Sequence, residues 1–260
     1  MPSRTARTRL LLTGLGGGGA FTPASLPNLQ AWYDASDAAT LFQDSAGTTP
    51  ASADNDVIGR VSDKSGNAHH VLQAVVGNKP LLKTNIQNSR NVIRINDAND
   101  LLVSTTGSVS GNANHTILMV VVPRVASGGA FKGFGALGTA SSAGSAVSST
   151  VGLSSTDPEF WFGGDDLVAP TGGTAVIGTA VVLAKVHSGG TTTGYINGVA
   201  TSGSGNTYDL SGGILLGNYI NSVAGSLVSD IAEMLVYARA LTVSERGQIA
   251  TYLTVKWNVS

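Results

Sequence analysis

The chain has 260 residues, 42% of them hydrophobic and only 12% charged, with a formal net charge of −1. Disorder goes with low hydrophobicity and high net charge, so by that criterion the chain is not disordered, and its balance gives no global pull towards nucleic acid or anionic membranes. It contains no cysteine, which excludes disulfides, thiolate zinc sites and cysteine nucleophiles, while its 34 glycines point to many tight turns.

Residues 1–20 read as an arm. Arg4, Arg7 and Arg9 precede the first acidic residue, Asp34, and Leu10, Leu11 and Leu12 form a short apolar patch. Gly16 to Gly19 then make a flexible joint. The order of arginines and leucines is that of a secretory leader, but the apolar run ends at Leu15 and falls short of the roughly 7–15 residues such leaders use. No apolar run approaches the roughly 20 residues that cross a bilayer. The three arginines and three leucines are expected to dock the arm on a protein partner.

Residues 21–260 are expected to form one domain of short strands. Val92–Asp97 alternates as a half-buried strand, and His115–Arg124 is a continuous apolar run suited to a strand buried on both faces. Gly178–Ser188 is similar. Thr193–Thr201 signals a hairpin, because Asn197-Gly198 tolerates positive φ between β-branched flanks. Gly212–Tyr219 and Ser229–Ala238 complete the set. With no alternating helices and no internal repeat, this spacing predicts an all-β antiparallel sandwich or jelly roll. One helix closes the chain. Thr242 and Glu245 make a capping box, Leu241 precedes it as a hydrophobic staple, and Ile249, Tyr252, Leu253 and Trp257 fall on one apolar stripe.

Six segments in order carry a family likeness: AWYDASD, VSDKSGNAHHVLQ, VIRINDANDLL, GYINGV, ILLGN and DIAEMLVYARALTVSERGQIATYLTVKW. From about Leu26 to Trp257 the chain resembles the concanavalin A-like lectin/glucanase superfamily, in its laminin-G-like branch, of the type found in phage virion proteins. The resemblance implies two curved antiparallel sheets. It also implies a non-enzymatic structural protein of a bacteriophage virion, decorating the capsid or associated with a fibre or tail. Other virion proteins would then be its partners, with copies of itself in an assembly and host-surface glycans as further candidates. A carbohydrate-binding module of an extracellular protein is the alternative, and a glycoside hydrolase the third reading.

Glucanases of that superfamily place catalytic carboxylates as E-x-D-x-E on one strand, so that alternation aims them at one face. That motif is absent here. Asp230 and Glu233, three apart, would leave a regular strand on opposite faces. Asp157 and Glu159 alternate correctly, but Pro158 between them suits an edge strand. No catalytic residue is therefore assigned, and no enzyme activity is expected. Glu159, Trp161 and Tyr219 are candidate sugar contacts, with core packing as the competing reading. His69-His70 reads as a solvent-facing pair in a turn, and His115 and His187 as lone residues at strand edges. Asp54, Asp56, Asp165 and Asp166 are loop carboxylates of the kind calcium takes; none completes an EF-hand pattern, and no other cofactor is implied. GLGGGG lacks the following Lys-Ser/Thr of a phosphate loop, and three arginines are too few to argue a nucleic-acid partner.

Overall fold

The structure, a computed structural model, describes residues 20–104, 106, 109–127, 132–138, 149–154, 157–162, 165–168, 176–200, 204–205, 207–210, 213–218 and 226–259. Strands β1 (Leu29–Asp34), β2 (Leu41–Phe42), β3 (Arg60–Val61) and β4 (Val71–Leu72) come first. A hairpin of β5 (Leu81–Gln87) and β6 (Arg90–Ile95) leads to β7 (Leu102–Ser104), β8 (His115–Pro123) and β9 (Lys132–Leu137). Then follow β10 (Ser149–Ser154), β11 (Asp157–Phe162), β12 (Asp165–Val168), β13 (Val181–Ser188) and β14 (Thr191–Ile196). The short β15 (Val199–Ala200), β16 (Ser204–Gly205) and β17 (Ile214–Leu216) precede β18 (Ser229–Tyr237) and the helix α1 (Val243–Trp257).

These strands form two antiparallel sheets. Sheet one runs β15-β14-β13-β8-β18-β6-β5, with β1 also on β18 and β16 also on β14; sheet two runs β12-β11-β10-β9-β17-β7-β4-β3-β2. Every residue of β8 and β18 is buried. Their two faces are covered by different partners, which is why both strands read as unbroken apolar runs. Ile117, Met119 and Met234 share the inter-sheet core with Phe134, Val151 and Ile214. Leu118, Val120 and Leu235 face outwards and pack with Ile249, Leu253 and Trp257 of α1. The sandwich predicted from strand spacing is therefore present, with the helix laid on its outer surface.

Local sequence explains the ends of these elements. Thr242 Oγ1 accepts the Glu245 amide at 3.3 Å while Glu245 Oε2 accepts the Thr242 amide at 2.9 Å, and Asn258 in the left-handed region stops the helix. Asn197 and Gly198 both take positive φ, 47° and 84°, and join β14 to β15 as the hairpin signal predicts. Strand β6 differs from its half-buried expectation. It ends at Ile95, where Asp100 Oδ2 accepts the amides of Asn96 and Asp97, and Val92 is fully buried because α1 covers its face too.

The DKSGN segment (residues 63–67) is a clip on β1, whose other side pairs with β18. Asp63 Oδ1 accepts the Trp32 amide at 2.9 Å, the Lys64 amide donates to the Trp32 carbonyl at 2.9 Å, and Asn67 Nδ2 donates to the Leu29 carbonyl at 2.9 Å. The loop thus supplies the hydrogen bonds that a further strand would have made, and closes an edge.

Candidate functional site

The acids of β18 are organised by one irregularity. Ile231 pairs with Val121 but Glu233 pairs with Val120, so Ala232 is a bulge. Asp230 sits opposite Val122 and Glu233 opposite Val120, two positions apart on β8. Both acids therefore share the outer face, where a regular strand would have separated them; the expectation of opposite faces is corrected by the extra residue.

Glu233 is buried among four donors. Its Oε1 accepts from Trp32 Nε1 at 2.7 Å and Tyr252 hydroxyl at 3.0 Å; its Oε2 accepts from Lys256 Nζ and Trp257 Nε1, each at 2.7 Å. Lys256 also lies 2.8 Å from Asp34, which Lys64 meets at 2.9 Å. Burial and the charge of Asp34 push the Glu233 carboxyl up. Burial pushes Asp34 up as well, but the charge and hydrogen bond of Lys256, with Ser36 and Lys64, hold it below its ordinary value. A carboxylate has about four lone-pair sites, and here each is spent on the protein. This network fastens β1 and α1 to β18. Asp230, fully buried, is likewise occupied by Arg94 and Arg124.

Between the sheets lies a polar cluster that strand-edge reading does not anticipate. Register sets His187 on β13 opposite His115 on β8. Their rings stack at 5.2 Å, and Tyr208 stands edge-on to both. His115 Nε2 meets the Ser149 hydroxyl at 2.8 Å and its Nδ1 the Ala113 carbonyl at 2.9 Å. His187 meets Thr192 and Asn112, each at 3.0 Å. Lys185 is fully buried, with Nζ 5.4 Å from the Tyr208 ring centre. Burial pushes His115 down to about 3, against its bond to Ala113 and aided by Lys185; burial and Lys185 lower His187, and burial lowers Lys185. A serine beside an imidazole resembles a nucleophile with its base, but Ser149 and His115 are both fully buried and the other imidazole nitrogen meets a carbonyl. The two histidines are central and paired, not lone and at strand edges.

The remaining candidates fall elsewhere. Glu159 and Trp161 occupy alternate positions of β11, and Trp161 stands directly opposite Asp166 on β12. Strand β11 lies between β10 and β12, but only Glu159 pairs with both; Pro158 pairs with Leu153 of β10 alone, one position before the β12 pairing begins, which leaves its other side open as a proline requires. Asp165 and Asp166, read as loop acids, are strand residues. Asp54 accepts from Lys83 Nζ at 2.7 Å and the Thr84 amide at 3.0 Å, and Asp56 accepts the amides of Ser52 and Ala53. Among the described residues no group of three or more His, Asp or Glu side chains could hold a metal ion. His69 and His70 are half-buried: His70 Nδ1 accepts the Asp63 amide at 3.0 Å and His69 Nδ1 meets Thr106 at 2.9 Å. Tyr219 and the arm residues Arg4, Arg7, Arg9, Leu10, Leu11 and Leu12 lie outside the described residues.

No family model and no curated protein matches the chain. Solved structures do. The binding domain of Paraclostridial Mosquitocidal Protein 1 aligns over 87% of the chain at 14% identity and a TM-score of 0.60. Trypanosoma rangeli sialidase aligns over 90% at 12% identity and 0.59, and the receptor binding domain of botulinum neurotoxin D over 88% at 10% identity and 0.57. The chain spans 52%, 34% and 53% of these chains respectively. At such identities the likeness is one of fold, an antiparallel β-sandwich.

Two outcomes follow from the buried groups. Glu233→Ala strands two indole N–H groups and the Tyr252 hydroxyl and leaves Lys256 paired with Asp34 alone, and should cost about 3–5 kcal/mol in urea unfolding. In acid, the unfolded chain protonates a histidine near its ordinary 6.5 while folded His115 stays neutral down to about 3. Stability from this group is therefore complete above about pH 6.5 and falls as the pH drops below it, by about 1.4 kcal/mol per pH unit at most. Unfolding of His115→Gln should show a shallower acid slope than the unsubstituted chain, and the same slope above pH 7.

Proposed function

We propose that the chain is a non-catalytic, lectin-like module that binds glycans. The observation that carries this reading is the register of β11 with β12, which sets Asp166 across from Trp161 and Glu159 two positions along the same strand. An aromatic residue in register with acidic ones supplies the chemistry a sugar asks for: C–H faces stack on a ring while hydroxyls donate to carboxylates. The absence of catalysis is supported by the two buried acids of β18, whose oxygens are engaged by tryptophan, tyrosine, lysine and arginine. The fold likeness adds weight, because one similar structure is a botulinum neurotoxin D ligand binding domain in complex with N-acetylneuraminic acid, at a TM-score of 0.53. The resemblance to laminin-G-like, concanavalin A-like domains points the same way.

A second reading places this module on a phage particle, in the virion, with residues 1–20 as its anchor. Ala20, where the arm joins, borders a groove along α1 lined by Phe21, Tyr252 and Val255. Val255 is 74% exposed, apolar surface beside the arm's root. A protein partner that covers this groove and binds the arm would account for both.

Glycan-array and calorimetric binding test the first reading. The protein should bind at least one oligosaccharide class, and Trp161→Ala should weaken it at least tenfold with the far-ultraviolet circular dichroism unchanged. Absence of binding across diverse glycans would contradict it. For the second reading, deletion of residues 1–20 should abolish incorporation into particles while the sandwich stays folded; undiminished incorporation would contradict it.

A further inference from the structure

On the outer face of sheet one, Asp230 collects two arginines. Arg94 Nε lies 2.6 Å from Oδ1 and Arg94 Nη2 2.9 Å from Oδ2, while Arg124 Nε reaches Oδ2 at 2.8 Å and its Nη2 contacts the same oxygen. The charge here is uneven. Among the described residues the other lysine and arginine ion pairs are balanced or rich in acid: Lys64 and Lys256 share Asp34, Asp37 and Glu233, Lys83 has Asp54, and Arg239 has Glu245. Asp230 is the one acid in direct contact with the two guanidinium groups, and Asp54, which also acts on Arg94, is paired with Lys83, so the cluster keeps one positive charge in excess.

Each guanidinium offers five N–H donors in a fixed fork. Both arginines spend Nε and Nη2 on Asp230, and neither Nη1 has a protein partner among the described residues. The side chains are 23% and 29% exposed, while Asp230 beneath them is completely buried. The forks are therefore held from below and open above. Half-buried charges are screened less by salt than free surface charges, and side chains already fixed lose little entropy when they bind.

We propose that Arg94 and Arg124 form a binding site for the carboxylate of an acidic sugar. The proposal rests on the glycan-binding reading and adds the ligand class and a contact point on sheet one, apart from β11. With Nε and Nη2 of each arginine turned to Asp230, the end-on edge of Nη1 and the second Nη2 N–H remains to meet the two oxygens of a carboxylate, and the excess positive charge favours an anion over a neutral ring. A sulfate ester presents similar oxyanion chemistry, so the test must separate the two.

Calorimetry on the full chain uses three probes: trigalacturonate, its methyl ester, and a sulfated neutral trisaccharide. Trigalacturonate should bind at least tenfold more tightly than its ester, and the advantage should shrink as salt rises from about 0.05 to about 0.5 M. Arg124→Gln, which leaves Asp230 paired with Arg94, should abolish the preference for acid over ester without changing thermal unfolding by more than a few degrees. Arg124→Lys should restore part of it. Equal binding of acid and ester, or a preference that survives Arg124→Gln, overturns this site while the glycan reading stands. An Arg124-dependent preference for the sulfated probe over trigalacturonate overturns the carboxylate assignment. Failure of all three probes, with no binding on a glycan array, overturns the glycan reading itself.

Discussion

One buried carboxylate, Glu233, holds the architecture together at the point where three elements meet. Trp32 comes from β1, Tyr252, Lys256 and Trp257 come from α1, and all four donate to it. A buried charge costs several kcal/mol in lost hydration, and only an almost complete set of donors offsets that. The arrangement explains why an otherwise β-sheet chain ends in a helix. The outer faces of β8 and β18 carry Leu118, Val120 and Leu235, which need cover, and α1 provides it with Ile249, Leu253 and Trp257. Apolar packing brings the helix to the sheet; the Glu233 hydrogen bonds fix its position along and around its axis.

Much of this was legible in sequence because it is local. The capping box of Thr242 and Glu245, the Asn197-Gly198 turn and the unbroken apolar run of β8 each depend on residues a few positions apart. The rest depends on register between distant segments, which composition and periodicity do not encode. A single extra residue at Ala232 reverses the inference about Asp230 and Glu233. His115 and His187 lie 72 positions apart in sequence and become ring-stacked neighbours only when β8 pairs with β13. The DKSGN motif was visible as a turn, but its role as a substitute strand edge for β1 needed the fold. As for the candidate site, the sequence marked Glu159 and Trp161, while Asp166 joined them only through the pairing of β11 with β12.

The distribution of polar groups separates structure from recognition. Glu233, His115, His187 and Lys185 are buried and engaged with the protein, the last with a lowered pKa that burial imposes. They stabilise or specify the sandwich and have little left to offer a ligand. The proposed contacts draw on other residues: the β11–β12 register of sheet two and the partly exposed Arg94–Arg124 pair on sheet one. Two proposed contact regions on different sheets would favour an extended chain over a single sugar.

The central claim is that the protein binds a saccharide and leaves it intact. Saturation-transfer NMR on the full chain with an acidic oligosaccharide, followed for a day at equilibrium, tests both halves at once. The account predicts saturation of the sugar protons throughout, with no new reducing-end signals. Lack of transfer, or the appearance of reducing ends at a rate that scales with protein, would contradict it.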